Sequence, residues 1–284
     1  MRSVWLAGLL VLAACAENRR SDQFSFGKEC GTIDRKLEEA SGLVTSAAHP
    51  GYLWTHNDSG NGADLYLIDS AARIVAIMPL AQVHNRDWED IALGPGPEHT
   101  KSYLYIGDIG DNNAQYAFKI IYRVAEPTTI ASQPIATIDT LYVRLPDGPR
   151  DAEALMVDPL TSDLFVISKR EDSVRLYQVP DNWQSGDTLT AELKARLPYF
   201  NTVAADISAD GTEVLLKTYE HVYYWKRQGS EALVNLLQQP PLLLNYKREK
   251  QGEAVAWARD GTGYYTLSES NTHERARLMF YKRK

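Results

Sequence analysis

Short apolar and aromatic runs alternate with turn signals along nearly the whole chain, and the runs fall into sets of four. One series begins each set: Ser41-Gly42-Leu43, Glu89-Asp90-Ile91, Glu153-Ala154-Leu155, Ala205-Asp206-Ile207 and Glu253-Ala254-Val255, at successive offsets of 48, 64, 52 and 48 residues. A second run follows each: YLWTHND (52–58), YLYIGD (103–108), LFVISK (164–169), VLLKTY (214–219) and YYTLSE (264–269). A third comes next: DLYLID (64–69), KIIYRV (119–124), VRLYQV (174–179), HVYYWK (221–226) and ARLMFY (276–281). Weaker fourth runs close most units, at 73–80, 139–146, 191–198 and 231–237. Turn chemistry such as AAHPG, GPGPEHT, DPLTSD, ADGT and RDGTG separates the first run from the second.

Each unit therefore reads as four short strands, and five such units recur at a spacing of about 50 residues, the signature of a β-propeller. The expectation is an all-β fold, a five-bladed β-propeller of four-stranded antiparallel blades, with a six- or seven-bladed ring as the alternative. The fifth unit shows only three runs, and FSFGKECGTIDRK (24–36) is the segment available to supply its fourth strand and close the ring.

The first residues have a different pattern. Met1-Arg2, the apolar run Trp5 to Ala14 and the sequence Leu12-Ala13-Ala14-Cys15 read as a signal peptide (1–14) ending at a bacterial lipobox. A diacylated Cys15 is a stable membrane anchor. Ala16, rather than Asp, after that cysteine resembles outer-membrane lipoproteins. Residues 15–23 then form the lipidated Cys and a polar tether, and 24–284 a single propeller domain. Cys30 is the other cysteine. It reads as a small buried residue, and a Cys15–Cys30 bridge is the rival that excludes lipidation.

The formal charge of −7 argues against a nucleic-acid partner, which needs a basic face. The one basic cluster, Lys247-Arg248-Glu249-Lys250, reads as a solvated loop.

In a four-stranded meander the start of strand one and the end of strand two share a face, and in a propeller strand one lines the channel. Glu89, Glu153 and Glu253 are thereby expected around the channel mouth, with Ser41 and Ala205 in the other two blades. The ends of the second strands give a second ring of Asn57, Asp108, Lys169, Lys217 and Glu269. Converging carboxylates need compensation. Three kinds are open: salt bridges to Lys169, Lys217, Arg86, Arg150 or Lys250; a hard cation such as Ca²⁺; or one carboxylate of raised pKa acting as acid or base. The loops NDSGNGAD and DIGDNN place Asn57, Asp58, Asp108 and Asp111 on the same face, with the composition of a cation loop or of plain turns. The ligand-binding candidates are Glu89, Glu153, Glu253, Lys169, Lys217 and Glu269. Trp54, Trp225 and Trp257 read as core, and Trp88 and Trp183 as nearer a surface.

The ordered motifs NDSG, DWEDIA, YIGDIGDN, YRVAEP, DGPRDAEALMVDP, ISK, ADISADG, KTY and QGEAVAW resemble a family of secreted bacterial β-propeller proteins. That resemblance implies fold and export, and brings no activity. More distantly, the Asp-x-Glu strands resemble calcium-dependent propeller phytases and phytase-like esterases, and gluconolactonase-type propellers, which are usually six-bladed. Two functions follow as expectations. One is an outer-membrane binding or scaffolding module holding Ca²⁺ and a small anionic ligand or envelope protein. The other is a metal-dependent hydrolase of phosphoesters or lactones.

Overall fold

The computed structural model describes residues 19–270 and 274–284, so the expected signal peptide and Cys15 lie outside the described residues. Five antiparallel meanders stand side by side. Their innermost strands are Ala40–Thr45, Trp88–Gly94, Ala152–Val157, Thr202–Ile207 and Gly252–Trp257. Each touches the next, and the last touches the first, so the ring closes with five blades. The fifth blade takes its outer strand, Lys28–Thr32, from the start of the chain, where it pairs antiparallel with Arg277–Lys282. That closure ties the two ends of the ring together by backbone hydrogen bonds.

The inner strands are largely apolar on both faces because each blade is covered on both sides there, while outer strands such as Glu192–Leu197 are mostly polar and exposed. Tyr103–Asp108 and Gly252–Trp257 are buried along their whole length. Five apolar clusters fill the five gaps between blades. Trp54 and Trp88 meet in the gap between the first and second blades. Trp88, expected nearer the surface, is fully buried, with its ring edge-on to His56 at 5.5 Å. Trp183 is also buried, under the Arg123 guanidinium at 3.8 Å from its ring. Cation–π contact holds Trp183 and apolar packing holds Trp88, whose Nε1 is buried without an acceptor among the described residues.

The fourth blade departs from the expected pattern. Residues 231–237 hold a helix, Leu233–Leu237, rather than a strand. Leu233, Leu236 and Leu237 recur at helical spacing and all bury beside Trp225. The short strand Leu242–Leu243 takes the edge position, and Arg19–Arg20 adds to it in parallel, so residues expected in the polar tether run along this blade. Phe24 follows, buried among Tyr224, Trp257 and Tyr264. The long second unit adds no blade: Thr188–Thr190 joins its outer strand Asp139–Arg144 in parallel. Cys30 is half-buried between the first and fifth blades, its thiol 3.8 Å from the Lys28 carbonyl.

Inner strands face the channel with unpaired backbone groups, and a buried N–H without an acceptor is costly. Two carboxylates meet this demand. Asp90 accepts the N–H of Leu155 at 3.0 Å and of Ala205 at 3.3 Å, reaching two other blades. Asp206 accepts the N–H of Trp257 at 2.7 Å. On the face away from the glutamates, bridges clamp neighbouring blades. Glu126 holds Ser46 Oγ, the N–H groups of Ala47 and Ala48, and Trp54 Nε1 at 2.6–3.2 Å. Arg227 pairs with Asp158 at 3.0 and 2.6 Å, both buried.

Candidate functional site

Every inner strand carries a β-bulge near its start, opposite the end of strand two. In the second, third and fifth blades the bulged residue is Glu89, Glu153 and Glu253. A bulge re-aims the side chain it carries, here toward the channel mouth. In the fourth blade the equivalent residue is Val203, because Thr202 pairs with Thr218 and Ala204 with Lys217. Ala205 therefore lies two residues beyond the expected register.

The second ring shifts likewise. Asn57, Asp108, Ser168, Thr218 and Ser268 are the residues opposite the start of each inner strand. The next residues are Asp58, Ile109, Lys169, Tyr219 and Glu269. Lys169 N–H and Glu269 N–H bond the carbonyls of Asp151 and Gln251, and Asp58 N–H that of Glu39. Lys217 falls one position short of its ring and points inward. It is buried, with its ammonium bonded to the carbonyls of Gly252 and Thr218 and 4.9 Å above the Tyr246 ring. Burial pulls its pKa down to about 8.

Asp108 and Asp111, expected as cation ligands, are engaged elsewhere. Asn57 Nδ2 donates to the Lys36 carbonyl at 2.7 Å, while its Oδ1, the atom able to ligate a cation, is buried without a hydrogen-bond partner among the described residues. Asp108 lies 3.0 Å from Arg86 Nε. Asp111 accepts from Gln115 and Tyr116 N–H at 2.8 and 2.9 Å and pairs with buried Lys119 at 3.3 Å. Arg86 and Arg150 do not reach the glutamates: Arg150 pairs with Asp147 and Glu171. Lys247, Arg248 and Lys250 are exposed, as a solvated loop requires.

What converges is a set of carboxylates from three blades. Asp58, Asp87 and Glu89 form one triad and Glu89, Asp151 and Glu153 a second, with one oxygen of each residue within 4.8 Å of the others in its triad. Glu89 is common to both. The second triad carries its own compensation: Lys169 on Glu153, Arg170 Nε on Asp151 at 2.5 Å, and Asp111 N–H on Asp151 at 2.8 Å. Burial pulls the Lys169 ammonium down, but Glu153 and Glu253 outweigh it and keep it charged. The Lys169 ammonium also lies 5.0 Å from the centre of the Tyr219 ring, and the Tyr219 hydroxyl donates to Glu253 at 2.8 Å.

The first triad has no cationic partner among the described residues; its donors come from Ser59, whose N–H bonds Asp58 and whose side chain bonds Asp87. Glu89 is 6% exposed, and its carboxylate neither accepts a hydrogen bond nor pairs with a cation there. Burial, then Glu153 and Asp58, push it well above the ordinary carboxylate range. Burial raises Asp87 too, partly offset by Ser59. Asp58, on the solvent side, rises to about 6 through burial and the charges of Asp87, Glu253 and Glu39. Glu269, bonded by Gln251 Nε2 at 2.6 Å, is lifted to about 8 by burial and then by Glu253 and Asp58. Gly110 closes the back of the triad, and a Cβ there would overlap Glu89 Oε1 and Asp87 Oδ2. Ordinary backbone approaches the carboxylates closely because residue 110 has no side chain.

Chemically, three carboxylates on fixed backbone, open on the Asp58 side, suit a hard cation with free coordination positions toward solvent. Asp87, Asp151, Arg170 and Tyr219 were not singled out from sequence. The signal for two of them was present in the repeat Arg-Asp-x-Glu at 86–89 and 150–153.

No protein-family description matches the chain, and no curated protein does. Among solved structures, a chain of a nidogen/laminin complex is similar at 10% identity, over 81% of this chain and 72% of that chain, with a TM-score of 0.44. At that score the likeness carries no argument.

Proposed function

We propose that the protein is a cation-dependent binding module. Asp58, Asp87 and Glu89 hold a hard divalent ion, Ca²⁺ by donor type, and the channel mouth offers it to an anionic ligand. The supporting observation is Glu89, a carboxylate 6% exposed, grouped with two others and given no donor or cation by the described residues. Bound Ca²⁺ would take up that charge, and its remaining coordination positions would face the mouth, where carboxylate or phosphate oxygens replace water. Arg170, half-exposed beside Asp151, adds a guanidinium suited to the same oxygens. An ion that binds the folded state raises the unfolding midpoint by mass action. Millimolar Ca²⁺ after EDTA should raise it in the wild type and not in Glu89→Gln; equal midpoints with and without Ca²⁺ in the wild type would overturn the assignment.

The second reading is a metal-dependent hydrolase of phosphoesters or lactones. What favours it is the same Arg170 next to the triad, since a cation and a guanidinium together stabilise charge developing on an oxygen. Turnover of an aryl phosphate or a simple lactone that stops with EDTA would select it; no turnover with Ca²⁺ present leaves the binding module.

We also propose, from the lipobox, that acylated Cys15 holds the propeller at the outer membrane as a member of the secreted bacterial propeller family it resembles. Metabolic labelling with a tritiated fatty acid should mark the wild type and not Cys15→Ser.

A further inference from the structure

The two triads are built alike but filled differently, and the difference assigns a role to Lys169. Both contain Glu89, and both set three carboxylate oxygens within 4.8 Å of one another. In one, no described cation is present. In the other the Lys169 ammonium, 6% exposed, rests on Glu153. Its surroundings hold it there: the Tyr219 ring lies 5.0 Å away, and residue 169 is tied to the Asp151 carbonyl through its N–H at 3.2 Å.

We infer that Lys169 is a built-in counter-ion standing where a second divalent cation would otherwise bind, so that the channel mouth is a latent two-ion site restricted to one ion. This rests on the cation reading of the Asp58 triad. Physically, five clustered carboxylates attract more positive charge than a single divalent ion supplies. A tethered ammonium provides part of it without the entropic cost of capturing another ion from solution. It also excludes a second cation from Glu153, both by occupying the space and by like-charge repulsion. Arg170 does not exclude one equally well: it is half-exposed, bonds Asp151 and Asn112, and comes only to 4.0 Å from Glu153, where Lys169 is in direct contact.

The test is ion stoichiometry by equilibrium dialysis against radioactive Ca²⁺ at about pH 8, on the wild type and Lys169→Met, with folding checked by circular dichroism. The wild type should bind one ion and Lys169→Met two, with a larger calcium-induced rise in midpoint. Lys169→Gln, which keeps a donor on Glu153, is the second variant should the methionine protein not fold, and it should also bind two. Lys169→Arg should stay at one. One ion in the wild type and one in each folded neutral variant overturns this inference and leaves the cation site standing. No ion in the wild type but one in the neutral variants overturns the Asp58 triad and supports the role of Lys169. No ion in any of them overturns both.

Discussion

Asp58→Asn probes the carboxylate cluster without removing a buried group from its centre. Burial and the charges of Asp87, Glu253 and Glu39 lift Asp58 to about 6, against an ordinary value of 3.8. A gap of about 2 pH units is worth about 3 kcal/mol at about 1.4 kcal/mol per unit. The remaining solvent access of the side chain brings that to about 2 kcal/mol. The folded pKa lies above the unfolded one, so the folded state holds the proton more tightly. In ion-free protein this group therefore destabilises increasingly as pH rises from about 4 through about 6, and the loss is complete above that. Asparagine keeps the oxygen that accepts the Ser59 N–H and carries no charge. Urea unfolding in EDTA should show the variant gaining about 2 kcal/mol on the wild type between about pH 4 and pH 7. His56, pushed down to about 4 by burial from an ordinary 6.5, acts in the opposite sense over most of that window, but it is present in both proteins and cancels in the difference. Calcium should invert the order at pH 7, because the wild type then gains from the ion and the variant has lost a ligand. A stability difference that stays flat from about pH 4 to pH 7, or a variant less stable than wild type in EDTA at pH 7, would refute the reasoning.

Three other outcomes follow from the same structure. Gly110→Ala, whose methyl would overlap Glu89 and Asp87, should abolish the calcium-induced shift in midpoint while leaving the circular dichroism spectrum unchanged. Glu126→Ala strands four donors between the first and second blades and should cost about 3–5 kcal/mol by chemical unfolding, with the calcium shift retained. Asp158→Ala leaves the buried Arg227 guanidinium unpaired and should cost a similar amount, about 3–5 kcal/mol, again without touching calcium binding.

The architecture was legible because a propeller writes itself as a repeat: four runs per unit, turn residues between them, and one inner strand per blade. Ring closure by residues 28–32 could also be anticipated, since the last unit lacked its outer strand. The fourth blade was harder to read. Leu233, Leu236 and Leu237 are as apolar as a strand, and what makes them a helix is their spacing and the cluster around Trp225 into which they fit. Its inner strand also misled, because Ala205-Asp206-Ile207 copies the spelling of Glu89-Asp90-Ile91 two residues out of phase. Both aspartates accept backbone N–H groups across the channel, so their chemistry recurs while their register does not.

The candidate site was half legible. The glutamates announced themselves by period, but the bulge that aims them is invisible in sequence, because it is one unpaired residue between strands that look regular. A one-residue slip in the second strands misplaced Lys217, whose apolar neighbours bury it, while Lys169 stands at the mouth on Glu153. Asp108 and Asp111 have the spelling of a cation loop and serve instead as partners of Arg86 and Lys119. Asp87 and Asp151 were overlooked beside the larger Glu signal, although the same motif repeats them.

The most direct test of the account is a crystal grown with Mn²⁺ in place of Ca²⁺ and measured for anomalous scattering. The account predicts a single peak at the channel mouth bonded to oxygens of Asp58, Asp87 and Glu89, with the Ca²⁺ form showing ligand distances of about 2.3–2.6 Å. A peak bonded instead to Asp108 and Asp111, or a saturated crystal with no peak among the three carboxylates, would contradict it.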